Sequence, residues 1–129
     1  MQLNSKIYDF LRIIPAGLYN GLIWFMSSGP VPFNITGFDK TVHIMEYTIL
    51  GILLGLGFKT SKNNFDNPAR NCLFTGAILG GLDEIHQHFV PGRSMDIFDF
   101  SADITGIAAG IIIWIAFLNF MGLFFRKKN

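Results

Sequence analysis

Asp39, His43, Glu46 and Tyr47 are spaced i, i+4, i+7 and i+8, which puts all four on one face of a helix and lets them point into one pocket. A carboxylate beside an imidazole can relay a proton or hold a cation. Asp39 could instead cap the start of that helix, His43 could be an interfacial polar group, and Tyr47 could belong to an aromatic belt. Further along, Asp83, Glu84 and Gln87 fall within one helical turn. Adjacent carboxylates at depth repel each other and lose hydration, so a shared proton or cation is expected there unless the helix end reaches water. His86 and His88 alternate at the same end, a pattern commoner at an interface than in a ligand set. In PGRSMDIFDFSAD, Gly92 suits the cap that ends one helix, while Asp96 or Ser94 can cap the next. Asp99, Asp103, Gly106 and Gly110 then continue along one face, and Arg93 has the planar fork that holds a carboxylate or a phosphate headgroup.

These residues define three overlapping sets. For proton transfer the candidates are His43, Glu46, Asp83 and Glu84, although no nucleophile accompanies them, since Ser94 has no base at a readable spacing. For ligand binding they are Asp39, His43, Tyr47, Gln87, Arg93, Asp99 and Asp103. For a divalent cation held by oxygen they are Glu46, Asp83, Glu84 and Asp99. Whether the chain is an enzyme stays open at this point.

The elements that must position them are four apolar segments, roughly Phe10 to Ser28, Thr41 to Phe58, Asn71 to Phe89 and Phe100 to Phe125. Each is near the ~20 residues needed to span a hydrocarbon core. Half of the 129 residues are hydrophobic, and they come in blocks with no polar stripe through the middle. The expectation is an all-α integral membrane four-helix bundle forming a single domain over residues 1–129. Pro30 and Pro32 break the first loop, Pro91 and Gly92 the third, and the middle loop KTSKNNFDNPAR is polar. The first segment carries Pro15, Gly17, Asn20 and Gly21 and no small-x-small cleavage site follows it, so it reads as a retained helix and not a secretory signal. The single cysteine, Cys72, excludes an intramolecular disulfide and reads as a packing residue. One small-xxx-small pair per segment (Gly17 with Gly21, Gly51 with Gly55, Gly76 with Gly80, Gly106 with Gly110) suggests close backbone packing throughout.

The net charge of +1 by itself says nothing about nucleic acid or acidic partners, and no nucleic-acid partner is expected. How the charge is distributed is more informative. Lys6, Arg12, Lys59, Lys62, Arg70, Arg126, Lys127 and Lys128 gather on one side of the four segments, leaving only Lys40 and Arg93 on the other. Positive residues are retained inside, so both termini and the middle loop are expected in the cytoplasm. Acids run the opposite way: Asp39, Glu46, Asp83, Glu84, Asp96, Asp99 and Asp103 lie on the outer side, seven carboxylates against two basic residues, a formal −5. With ~1.5 Å of rise per residue, Glu46 lies roughly 9 Å along its helix from Lys40, deeper than a loop position and deep enough to need a partner. The simplest arrangement has the second and third helices lining a pocket that opens outward, with the first and fourth shielding it from lipid.

Taken in order, DKTVHIMEY, DEIHQHFVPGR and DFSADITG resemble the VanZ-like family of small bacterial membrane proteins, through Asp39, Lys40, His43, Tyr47, Asp83, Glu84, Gln87, Phe89, Pro91, Arg93, Asp99 and Gly106. The likeness runs from Asp39 to Trp114; Phe10 to Ser28 adds little. Asp103 stands where the family motif carries asparagine, which adds a negative charge. The resemblance implies a multi-pass protein of the bacterial cell membrane, in a family named after a member associated with low-level resistance to the glycopeptide teicoplanin. Three readings follow. The pocket binds a divalent cation, or the amine or phosphate of an envelope lipid or glycopeptide; or it relays protons or ions in transport, by an oligomer if no single copy forms a path; or the polar cluster is glue in a structural, partner-binding membrane module. N-I-T at Asn34 matches a glycosylation sequon, which in a bacterial chain is a chance match.

Overall fold

The computed structural model describes residues 5–29, 38–58 and 67–126. The sequon at Asn34, the prolines of the first loop, Lys59, Lys62, Lys127 and Lys128 lie outside these residues. The described chain is all-α, with helices α1 Ser5–Ser27, α2 Asp39–Gly57, α3 Pro68–His88 and α4 Ile97–Arg126.

Local chemistry fixes where the helices start. Asn67 accepts a hydrogen bond from the Arg70 N–H at 3.2 Å, and Pro68 occupies the first turn, where its missing N–H costs nothing. Asp96 opens α4: its Oδ1 accepts from Phe98 N–H at 2.8 Å and its carbonyl accepts from the N–H groups of Asp99 and Phe100 at 3.1 Å. In α2 the capping position is Phe38, which makes no side-chain cap bond. Asp39 is therefore not a cap; it sits in the first turn, with its charge against the positive end of the helix. Gly92 does not cap α3 either, since Phe89 holds that position; with φ of +83° Gly92 makes the turn beyond it, in backbone space that side-chain-bearing residues rarely adopt.

Helix α4 is a lining element and not an outer shield. It packs most extensively along α2 and also against α3, while α1 rests on α2 and α3 and, among the described residues, does not reach α4. Glycine permits the close α2–α4 approach. A methyl group on Gly51 would lie 2.7 Å from the Ile107 carbonyl oxygen, and one on Gly106 would lie 2.6 Å from that of Ile44. On the α3 side, a methyl on Gly76 would meet the Ile107 side chain at 2.6 Å. The α1 pair behaves differently: nothing approaches Gly17 or Gly21 within 4 Å, so tight packing at every pair does not hold.

The core formed this way contains Tyr47, Leu50, Leu54, Cys72, Ile107 and Ile111, with Ala16 and Ile23 added from α1. Large apolar side chains also cover much of the outside, including Phe25, Met45, Phe74, Ile112 and Leu123. Of the described helices, one is long and apolar enough by itself to cross a membrane: α4, over Ile97–Leu123. In α2 and α3 the acids shorten the apolar run, to Tyr47–Phe58 and Cys72–Leu82.

Candidate functional site

Where α1 and α3 end and α2 and α4 begin, seven polar side chains are buried together: Ser27, His43, Asp83, Glu84, Gln87, Asp99 and Asp103. Helical spacing delivers them. Asp83, Glu84 and Gln87 occupy the last two turns of α3, His43 the second turn of α2, and Asp99 and Asp103 successive turns of one α4 face. Asp103 is fully buried and Asp83 is 1 % exposed. Burying an ionised carboxylate is costly unless it is paired, so the partners of each decide its role.

Asp83 is fully served by neutral donors: Ser27 Oγ donates to Oδ1 at 2.7 Å and Gln87 Nε2 to Oδ2 at 2.9 Å. Asp99 is paired with Lys40 Nζ at 2.8 Å, and the same ammonium reaches Asp96 at 3.2 Å. Those bonds, Asp99 first, raise the Lys40 pKa. Asp96 is held low chiefly by the Phe98 N–H and then by Lys40. The other two acids are only half served. Glu84 Oε2 accepts from the Asp96 N–H at 2.8 Å and Asp103 Oδ1 accepts from His43 Nδ1 at 2.8 Å. Glu84 Oε1 and Asp103 Oδ2 are buried with no hydrogen-bond partner, and so is the Tyr47 hydroxyl.

The other expected site residues spread more widely. Asp39 is half-buried, close enough to His43 and Asp99 that one ligand atom from each lies within 4.8 Å of the others. Glu46 is half-buried. It makes no hydrogen bond with a described residue, so the partner expected for it is not among them. Tyr47 is stacked with the His43 ring, centroids 6.5 Å apart. Among the described residues Arg93 makes no direct ion pair with the acids: its Nε donates to the Gly29 carbonyl at 3.2 Å, and Lys40 makes the direct pair with Asp99. His88 is exposed, and His86 stacks on Trp24 at 5.0 Å and shares a hydrogen bond with Ser28 Oγ at 2.9 Å.

Sequence reasoning passed over Ser27, and it named Lys40 as an outer-side basic residue and a position of the resemblance without placing it in the site. The signal for Ser27 was the serine pair closing an otherwise apolar segment just after Trp24, and for Lys40 its place next to Asp39 at the head of α2. Chemically, the site offers an imidazole and two carboxylates with free lone pairs: His43, Glu84 and Asp103 each present one ligand atom within 4.8 Å of the others.

No curated protein and no solved structure matches the chain. The family model described as VanZ/LLP1 matches residues 2–119, from before α1 to near the end of α4, and that span takes in every residue of the buried polar end. By that match the chain belongs to the VanZ/LLP1 family.

Proposed function

We propose that the chain is a multi-pass protein of the cell membrane, with both termini in the cytoplasm, whose buried acidic end faces outward and receives a positively charged group. That group is a cation or the amine of an envelope lipid or glycopeptide, and its capture lowers susceptibility to teicoplanin. The observation that carries this reading is the burial of Asp83, Glu84, Asp99 and Asp103, none more than 5 % exposed, at one end of an apolar-surfaced bundle. Among the described residues, only Lys40 and His43 bond those four acids with a cationic or cation-forming group. So much buried negative charge is costly in the absence of a positive guest. Arg12 and Arg70 lie toward the opposite end, as cytoplasmic residues would.

Transport is less well supported. Beyond Asp103 the interior is filled by Leu50, Leu54, Ile107 and Ile111, which offer an ion no polar step. Binding from one side therefore fits better than passage.

The test is teicoplanin susceptibility of a sensitive bacterium expressing the wild type, Glu84→Gln or Asp103→Asn at matched membrane levels. Wild type is expected to raise the inhibitory concentration and both variants to lose most of that rise. Equal protection by all three would remove the acidic end from the function.

A further inference from the structure

We propose that His43, Glu84 and Asp103 form a three-ligand site for one divalent transition ion of the Zn²⁺ or Mn²⁺ class. The proposal rests on the reading that this end of the bundle receives a positive group, and it names the group. Of the four buried acids, two are excluded by their own bonds: Asp83 has both oxygens occupied by Ser27 and Gln87, and Asp99 is paired with Lys40. The other two each present one unpartnered oxygen, Glu84 Oε1 and Asp103 Oδ2, on side chains 3 % and 0 % exposed. His43, 4 % exposed, is the third member, and one ligand atom from each residue lies within 4.8 Å of the others.

An ion resolves what hydrogen bonding leaves open. A proton shared between the two carboxylates could serve both oxygens but would leave one net negative charge buried, whereas a 2+ ion takes a lone pair from each. Two carboxylates around a 2+ ion also make a neutral unit, the form a low-dielectric interior tolerates. The 2.8 Å contact between His43 Nδ1 and Asp103 Oδ1 is a hydrogen bond that holds a proton between the two residues and fixes the imidazole beside the free Asp103 Oδ2. When an ion takes the imidazole nitrogen, that proton leaves to solvent. Nitrogen with two carboxylates selects Zn²⁺ or Mn²⁺ over Ca²⁺ and Mg²⁺, which prefer oxygen throughout. The Tyr47 hydroxyl, fully buried, unpartnered and in the field of Asp103, Asp83, Glu46 and Glu84, is the donor available to a water or ligand atom completing the ion's shell.

The experiment uses the full chain, purified in detergent and stripped of metal, then titrated separately with Zn²⁺, Mn²⁺, Ca²⁺ and Mg²⁺ and assayed for bound metal. Wild type is expected to take up close to one equivalent of Zn²⁺ or Mn²⁺. Glu84→Gln and Asp103→Asn should each bind at least about tenfold more weakly, while Gly17→Ala, where the new methyl meets nothing, binds as wild type does. Pulsed electron paramagnetic resonance of the Mn²⁺ form should show a nitrogen coupling that His43→Ala removes, and thermal transitions establish that each variant is folded. A wild type that binds neither transition ion, or folded Glu84→Gln and Asp103→Asn proteins that bind as wild type does, overturns the proposal. So does preferential Ca²⁺ or Mg²⁺ binding with no nitrogen coupling. The two readings separate cleanly: a metal-free wild type whose variants still lose teicoplanin protection removes the ion and keeps the envelope function, and stoichiometric metal without protection does the reverse.

Discussion

Four carboxylates buried within one end of the bundle have four different surroundings, and the differences come from single atoms. Asp83 is hydrogen-bonded on both oxygens by uncharged donors; Asp99 is paired with a lysine; Asp103 is bonded to a histidine on one oxygen; Glu84 accepts from one backbone N–H. The Lys40 fastening gives a prediction with a definite sign. Lys40 has its pKa raised, so its contribution is complete below the unfolded value of about 10.4 and lost as pH rises through the higher folded value. Asp96 has its pKa lowered, so its contribution is complete above about 3.9 and lost as pH falls through the lower folded value. Between those limits the stability difference between wild type and Lys40→Met should be small, because the lysine is half exposed, and independent of pH. Thermal unfolding in detergent from pH 5 to 9 checks this, and a slope in the difference would mean that another titrating group shares the lysine. The sequence displayed the types and spacing of these acids. It did not display which oxygens are satisfied, because decisive partners come from elsewhere in the chain: Ser27 lies 56 residues from Asp83, and the Glu84 partner is a main-chain N–H that any residue but proline at position 96 could supply.

At the level of helices, the number and order of elements could be read from the apolar blocks, since each block has the length of a helix and is bounded by proline, glycine or polar residues. Which helices line the site could not. Four glycine pairs with identical spacing carry no information about their neighbours, yet α2 and α4 bring theirs into contact while the pair in α1 faces open space. The consequence is a contrast between two identical substitutions. In Gly110→Ala the new methyl would run into the Thr48 carbonyl oxygen and lie 2.9 Å from the Gly51 Cα, so α2 and α4 must separate. Overpacking of this kind costs about 1–3 kcal/mol. It should also weaken the site, because His43 is on α2 and Asp103 on α4. Gly17→Ala meets nothing and exchanges a poor helix former for the best one, a change of roughly 1 kcal/mol in favour of folding. Denaturant unfolding of both variants in the same detergent measures the contrast; equal destabilisation would mean that the α2–α4 contact is not the tight one.

At the scale of the molecule, α4 is the one described helix with the hydropathy of a membrane helix, while α2 and α3 give several turns to charged and polar groups. A bundle can still span a bilayer on such helices, provided the acids turn inward and the outer faces stay apolar. The burial of Asp83, Glu84, Asp99 and Asp103, together with the exposure of Phe25, Met45, Phe74 and Ile112 on the four helices, meets both conditions. The side on which the acids sit is then a matter of charge, and on the proposed topology the basic residues place the α2–α3 connection in the cytoplasm. Two exposed positions report this directly: Met95, in the turn between α3 and α4, and Asn67, at the head of α3. In a Cys72→Ser background, which removes the single and buried thiol, Met95→Cys should react with a membrane-impermeant maleimide on intact cells, and Asn67→Cys only after lysis. The opposite pattern would turn the acidic end toward the cytoplasm, where no envelope amine reaches it. Labelling of both positions on intact cells would mean that fewer than four helices cross, since one full pass of α3 separates the two.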